Sequence, residues 1–289
     1  MANNIALFKK YIDMLDEVYA LSARTAVLDA PPEAVRQGAN ANEIIYPKMT
    51  MDGLADYDRS GGYVSGDVNI VFETMKFNYD RGRSFTVDRM DNEETAGVAF
   101  GKLAAEFIRT KVVPELDAFR FATYAGIPEI GSASATLSTG DDVISAISTA
   151  KTSMDEAEVT PENRYLFITP TLKQLVANME SYKSKAVMEG FTGVIEVPQK
   201  RFYTAIDLLD GTTVGEEKGG YKKAATAKDI NFMIVEKSAV IQYTKHTVNK
   251  VIMPDDNQKA DGYLFPYRAY GLTDAYENKA AGIYLHNKA

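Results

Sequence analysis

The 289-residue chain contains no cysteine and no tryptophan, and only two histidines. The first absence excludes disulfides and every thiolate metal site. The third removes most of the ordinary machinery of general acid–base catalysis and of imidazole metal centres. His246 lies in an apparent strand without a metal-binding spacing, and His286 lies three residues from the end, so both read as ordinary surface residues. Glycine-rich phosphate loops and nucleophile-elbow patterns are missing as well. Gly61-Gly62 and Gly219-Gly220 lack the strand-to-helix context that a phosphate cradle needs. There is no apolar run of the roughly 20 residues that a membrane span requires, and Met1-Ala2-Asn3-Asn4-Ile5 does not resemble a signal peptide. The expected chain is soluble and folded in a cytoplasm. The net charge of −8 argues against tight, sequence-specific nucleic-acid binding, because an acidic protein gains little from counterion release.

The carboxylate clusters do not replace what is missing. Asp141-Asp142 suits the first turn of a helix, where negative charge meets the dipole. Asp255-Asp256-Asn257 with Asp261-Gly262 invites a calcium reading, but Lys259 stands at a ligand place, so a solvated turn is expected. The sequence therefore predicts no catalytic, cofactor-binding or metal site, and no enzyme.

What is present is architectural. Residues 5–28 place Ile5, Phe8, Ile12, Leu15 and Tyr19 on one helical stripe, ended by Pro31-Pro32. Such a short amphipathic helix is marginal alone, so an arm seeking a partner surface is expected. Residues 43–90 alternate with a period of two and read as a long β-hairpin with a polar, glycine-rich tip at 52–66. A phase slip between Thr74 and Met75 predicts a bulge. A long helix follows. Asp91 and Glu94 form a capping-box pattern, and Ala99, Leu103, Phe107, Ile108, Leu116, Phe119 and Tyr124 share an apolar stripe. Pro114 inside that run predicts a kink or split near Val113. At about 30 residues the helix would be roughly 45 Å long, a spine for a flat or elongated molecule.

Residues 131–140 read as a linker. Thr139 or Gly140 opens a second helix, Tyr165–Ile168 is a buried strand, and Thr169-Pro170 starts another helix. Val194–Val197 and Ile230–Val235 are further strands, separated by a charged glycine-rich loop from Gly211 to Gly220. Residues 246–253 and 261–270 continue as strands. Along the ribbon, Arg81, Arg83 and Arg89 interleave with Asp80, Asp88 and Asp91, and Asp58-Arg59 sits at the tip. That balance suits either ion pairs between subunits or a solvated ribbon face. Arm, ribbon and spine all need neighbours, and the simplest neighbour is another copy.

The order of these elements resembles the major capsid proteins of tailed bacteriophages, whose fold is shared with encapsulin compartments. The phrases that carry the resemblance are Met75-Lys76-Phe77-Asn78-Tyr79-Asp80-Arg81-Gly82-Arg83-Ser84-Phe85-Thr86-Val87-Asp88-Arg89-Met90-Asp91, Asn92-Glu93-Glu94-Thr95, Val113-Pro114-Glu115-Leu116-Asp117, Tyr165-Leu166-Phe167-Ile168-Thr169-Pro170 and Tyr276-Glu277-Asn278-Lys279. The resemblance implies an α+β phage capsid-shell fold. Residues 1–42 would be an N-terminal arm and 43–74 an extended β-hairpin loop. Residues 75–130 and 240–289 would form a peripheral domain that includes a spine helix at 92–125, and 131–239 an axial domain. It further implies self-assembly into pentamers and hexamers that form an icosahedral head shell. That shell would be built in the host cytoplasm with portal and scaffolding proteins, and would enclose double-stranded DNA without sequence-specific binding. Some members join a loop lysine to an asparagine, and Lys48 lies in the ribbon here. Asp58, Arg59, Asp80, Arg81, Arg83, Asp88 and Arg89 are the expected intersubunit contacts. The rival expectations are an encapsulin-like nanocompartment shell and a soluble α/β enzyme or binding protein.

Overall fold

The computed structural model describes residues 23–30, 36–37, 43–90, 105–179, 182–258 and 260–289. Most of the expected arm, and the Asp91–Glu94 capping box, lie outside them. In chain order the strands are β1 (Arg36–Gln37), β2 (Glu43–Met51), β3 (Val68–Lys76), β4 (Tyr79–Asp88), β5 (Gly131–Ser134), β6 (Arg164–Ile168), β7 (Gly193–Glu196), β8 (Ile206–Leu209), β9 (Gly220–Lys223), β10 (Ile230–Glu236), β11 (Val240–Asn249), β12 (Gly262–Ala275) and β13 (Ile283–Asn287). The helices are α1 (Val113–Ala125), α2 (Gly140–Glu156), α3 (Pro170–Ala177) and α4 (Tyr182–Glu189).

Two sheets carry the core. The first has strand order β5-β13-β10-β6-β7. Period-two alternation sends Leu166, Ile168, Phe232 and Ile234 to one face, against Val143, Ile147 and Met154 of α2 and Leu172 of α3. It sends Phe167, Met233, Val235 and Ile283 to the other face, against Phe121 and Tyr124 of α1. Both faces are covered, which explains why Phe232–Val235 is an unbroken apolar run. The second sheet, β11-β12-β4, packs Tyr79, Phe265 and Tyr267 against Ile108, Val112 and Leu116. One helical rod, residues 105–125, thus lies across both sheets.

Pro114 does not split that rod. A π turn, Ile108–Val112, precedes α1, and the Val113 N–H reaches the Ile108 carbonyl. The widened turn absorbs the proline, which takes an N-terminal position of the regular α segment, where its missing N–H costs little.

Three sequence expectations change. The phase slip near residue 75 is not a bulge. The chain leaves the sheet of β1, β2 and β3 after Lys76 and enters the β11-β12-β4 sheet at Tyr79. Asn78 bridges the switch with its side-chain amide. Its Nδ2 donates to the Thr273 carbonyl (2.7 Å), and its Oδ1 accepts from the Thr273 N–H (3.0 Å), in imitation of a strand peptide. The segment 131–134 is a strand and not a linker. It pairs parallel with β13, and its small residues fit beneath Tyr284, whose ring would meet a Cβ on Gly131 at 2.6 Å. The glycine-rich loop lies where the sequence places it, closed by the antiparallel pair β8–β9. Finally, β13 sits inside the five-stranded sheet between β5 and β10, with Ile283 and Leu285 packed on Phe121 and Tyr124 of α1. His286 is therefore buried, stacked on Phe232 with ring centroids 4.8 Å apart, and is not the surface residue its position suggested.

Candidate functional site

The hairpin β2–β3 pairs antiparallel from Glu43 opposite Lys76 to Met51 opposite Val68. Successive strand residues point to opposite faces. Val71 on one face is 48% exposed and Phe72 on the other 64%. Neither face at this level is covered by the described residues. Met49, Met51, Val68 and Ile70 add to the same exposed apolar surface. A ribbon of this kind is hard to keep soluble alone and marks a contact surface.

The tip is ordered by local bonds. Asp58 and Gly62 exchange backbone hydrogen bonds, and the Asp58 carboxylate accepts from the Ser60 and Gly61 N–H groups. Gly62 takes a positive φ of 83°, which its missing side chain permits. Tyr57 and Tyr63 meet edge to face at 4.9 Å. Lys48, farther down the ribbon, bonds Glu73 (2.9 Å) and Glu277 (3.2 Å).

The charged residues singled out from the sequence divide into two groups. Asp80 and Arg81 have firm partners within the chain. Arg268 grips both Asp80 oxygens at 2.8 and 2.6 Å and holds that carboxyl below its usual range. Arg81 bonds Glu115 at 2.7 Å and also donates to the carbonyls of Leu209 and Gly220, which ties the β8–β9 hairpin to the helical rod. The others are more open. Among the described residues Arg83 reaches the Glu217 carbonyl alone, and Asp88 accepts from the Met90 N–H. Arg89 faces Asp255 and Asp261 at 3.6 and 3.8 Å, so those acidic residues form a solvated turn with a counter-charge. Asp58 and Arg59 are exposed at the tip.

Two arrangements escaped the sequence reading. The first is a buried polar clamp on the segment 24–30. Asp117, fully buried in α1, accepts from the N–H groups of Arg24 and Thr25, from the Thr25 hydroxyl (2.8 Å) and from Arg201 (3.1 Å). Arg120 donates to the Thr25 hydroxyl and pairs with Asp29 at 3.1 Å. Gln242 donates to the Thr25 carbonyl and accepts from the Tyr124 hydroxyl, and burial pushes that phenol well above its usual range. The clamp joins the N-terminal segment, the rod and β11. Its only sequence trace is charge at positions 117 and 120 within an apolar helical stripe. The second is a cleft of about 1370 Å³ between the rod, β4 and the β8–β9 hairpin. Eight lysine and arginine side chains line it against three carboxylates, in a protein whose net charge is −8. Among the described residues no cluster of side chains suited to a metal ion occurs.

The complete arrangement can be compared with known proteins. No protein-family profile matches the chain, and no curated protein matches its sequence. Solved structures do match. The crystal structure of a virus-like particle from Pyrococcus furiosus is 11% identical, with 97% of this chain and 99% of that chain covered and a TM-score of 0.56. The mature capsid of bacteriophage PhiM1 is 9% identical, with 86% and 82% covered and a TM-score of 0.59. The capsid of the cyanophage P-SCSP1u is 14% identical, with 88% and 85% covered and a TM-score of 0.52. The fold is that of phage capsid shells. At these identities it is the backbone arrangement that is shared, and its mixed α and β elements agree with the class expected from the sequence.

Proposed function

We propose that this chain is the major capsid protein of a tailed bacteriophage. Copies would assemble into pentamers and hexamers, close an icosahedral head around double-stranded DNA in the host cytoplasm, and work with portal and scaffolding proteins. The observation that carries the reading is the pairing of a shell fold over nearly the whole chain with a hairpin exposed on both faces. A fold with that much unsatisfied apolar surface gains from a neighbour of its own kind. In this reading residues 43–74 are the extended loop, the rod is the spine, and the five-stranded sheet with α2–α4 is the body of the axial domain. Asp58, Arg59, Arg83, Asp88 and Arg89 are the charged residues best placed for intersubunit contacts. Asp80 and Arg81 would first have to exchange their internal partners. The chemistry is mechanical: similar contacts repeated in rings of five and six, with the acidic protein holding DNA without gripping it.

The near-complete coverage in both directions of the virus-like particle supports a second reading, a closed particle other than a phage head, for which an encapsulin-like compartment shell is the candidate. Negative-stain microscopy and mass measurement of the purified protein test the proposal. Closed megadalton particles or stable rings are expected. A monodisperse monomer under all assembly conditions overturns it, and co-purification of one cargo protein favours the second reading.

A further inference from the structure

We infer that the basic cleft is the receptor for the acidic hairpin tip of a second copy of this chain. The inference rests on the shell reading and names where one of its contacts falls. Of the cleft cations, Arg81, Lys222 and Lys223 pair with Glu115, Glu216 and Asp229, and Arg201 pairs with Asp117 behind the wall. Arg83, Lys111, Lys200 and Lys218 line the cleft, are exposed, and have no carboxylate partner among the described residues. Four like charges around one concavity repel each other, and an anionic occupant relieves that repulsion.

The same chain carries such an occupant. The connection from Asp52 to Asp67 holds four aspartates and one arginine, a net charge of −3. Asp52, Asp56, Asp58 and Asp67 have no cationic partner among the described residues. Four carboxylates without a cationic partner thus match four cations without a carboxylate partner, and Asp52 and Asp58 keep hydrogen bonds to backbone N–H groups of the tip. The remaining surfaces match in kind. Leu54, Tyr57, Tyr63 and Val64 are exposed at the tip, and the cleft wall includes the rings of Phe107 and Tyr203. The tip is already shaped by its Asp58–Gly62 turn and Tyr57–Tyr63 contact, so little conformational entropy is lost on docking. Since all but Gly62 of residues 52–67 are exposed, the tip does not occupy the cleft of its own chain. The contact joins two different surfaces, so it is head-to-tail and can close into a ring. A polyphosphate is the weaker candidate, because the rest of the protein carries a large negative charge that repels a long polyanion.

Charge exchange tests the inference. Asp56→Lys with Asp67→Lys alters the tip without touching the carboxylates that hold its turn. Lys111→Glu, Lys200→Glu and Lys218→Glu alter the cleft at exposed positions. Each set alone is expected to lower the yield of assembled particles about tenfold or more at moderate salt, with unchanged monomer circular dichroism, and the combined variant to restore it. Normal assembly of both single sets, or no rescue in the combination, overturns the inference. So does salt-dependent binding of a 20-nucleotide DNA that the cleft variant loses while the tip variant assembles normally. Zero-length carbodiimide crosslinking of mixed 14N and 15N chains, at high concentration, separates this question from the shell reading. Crosslinks between copies from Asp56 or Asp67 to Lys111, Lys200 or Lys218 support the docking even if no closed particle forms. Their absence defeats it even if shells form.

Discussion

Asp117→Asn is the sharpest test of how the N-terminal segment is held. The carboxylate is fully buried and accepts four hydrogen bonds on two oxygens, from Arg24, Thr25 twice and Arg201. Asparagine has nearly the same shape but offers one acceptor oxygen and turns the other position into a donor. Two donors then face an N–H₂ group, and Arg201 loses its counter-charge. Breaking a buried charged pair from one side costs about 3–5 kcal/mol. For a domain of this size each kcal/mol moves the melting temperature by about 2–4 °C, so a fall on the order of 10 °C is expected. Thermal unfolding of the unassembled protein, followed by circular dichroism at low concentration, measures it. Arg201→Gln leaves the fully buried Asp117 carboxylate without its cation and, by the same reasoning, should cost about 3 kcal/mol. The double variant should fall short of the sum, because both changes act on one bond. Trypsin should also cut after Arg24 faster in Asp117→Asn. A melting shift under about 3 °C, with unchanged cleavage at Arg24, would refute the idea that this carboxylate anchors the segment.

Gly82→Ala should destabilise by about 1–3 kcal/mol in the same assay, because its Cβ would lie 2.8 Å from the Tyr267 carbonyl across the β4–β12 ladder, where only backbone could yield. An unchanged melting temperature would show that the two strands are looser than described. His286 predicts a pH dependence. Asn231 spends its two amide protons on the Ala135 carbonyl and on His286 Nδ1, so that ring nitrogen accepts and the ring is neutral. Burial holds the folded-state pKa below the ordinary 6.5. Above 6.5 neither state binds the proton, and the group has no effect. Below it the unfolded chain protonates first, so stability falls as pH drops through that window. Comparing melting curves from pH 7 to 5.5, His286→Phe should show a shallower decline than the parent, and equal slopes would contradict the assignment.

What the sequence determined by itself was local. Thr139 and Asp142 form the reciprocal cap at the start of α2 because the two partners are three residues apart. The strand at Arg164–Ile168 and the hairpin at residues 43–76 follow from period-two patterning that neighbouring residues impose on one another. The tertiary structure decided whatever depends on residues far apart in the chain. The same phase break at residue 75 could be a bulge or a change of sheet, and only β12, nearly 200 residues later, makes it the second. The burial of His286 depends on β13 finding β10 and β5. Asp117 and Arg120 look like two charges on an apolar helix until Thr25, Arg201 and Gln242 close around them. The basic cleft likewise gathers lysines and arginines from positions 81 to 223, none of which stands in a basic run long enough to mark it. Short-range sterics and caps act within a few residues and leave a trace in the sequence. Burial and charge pairing act through space, and the chain must fold before they exist.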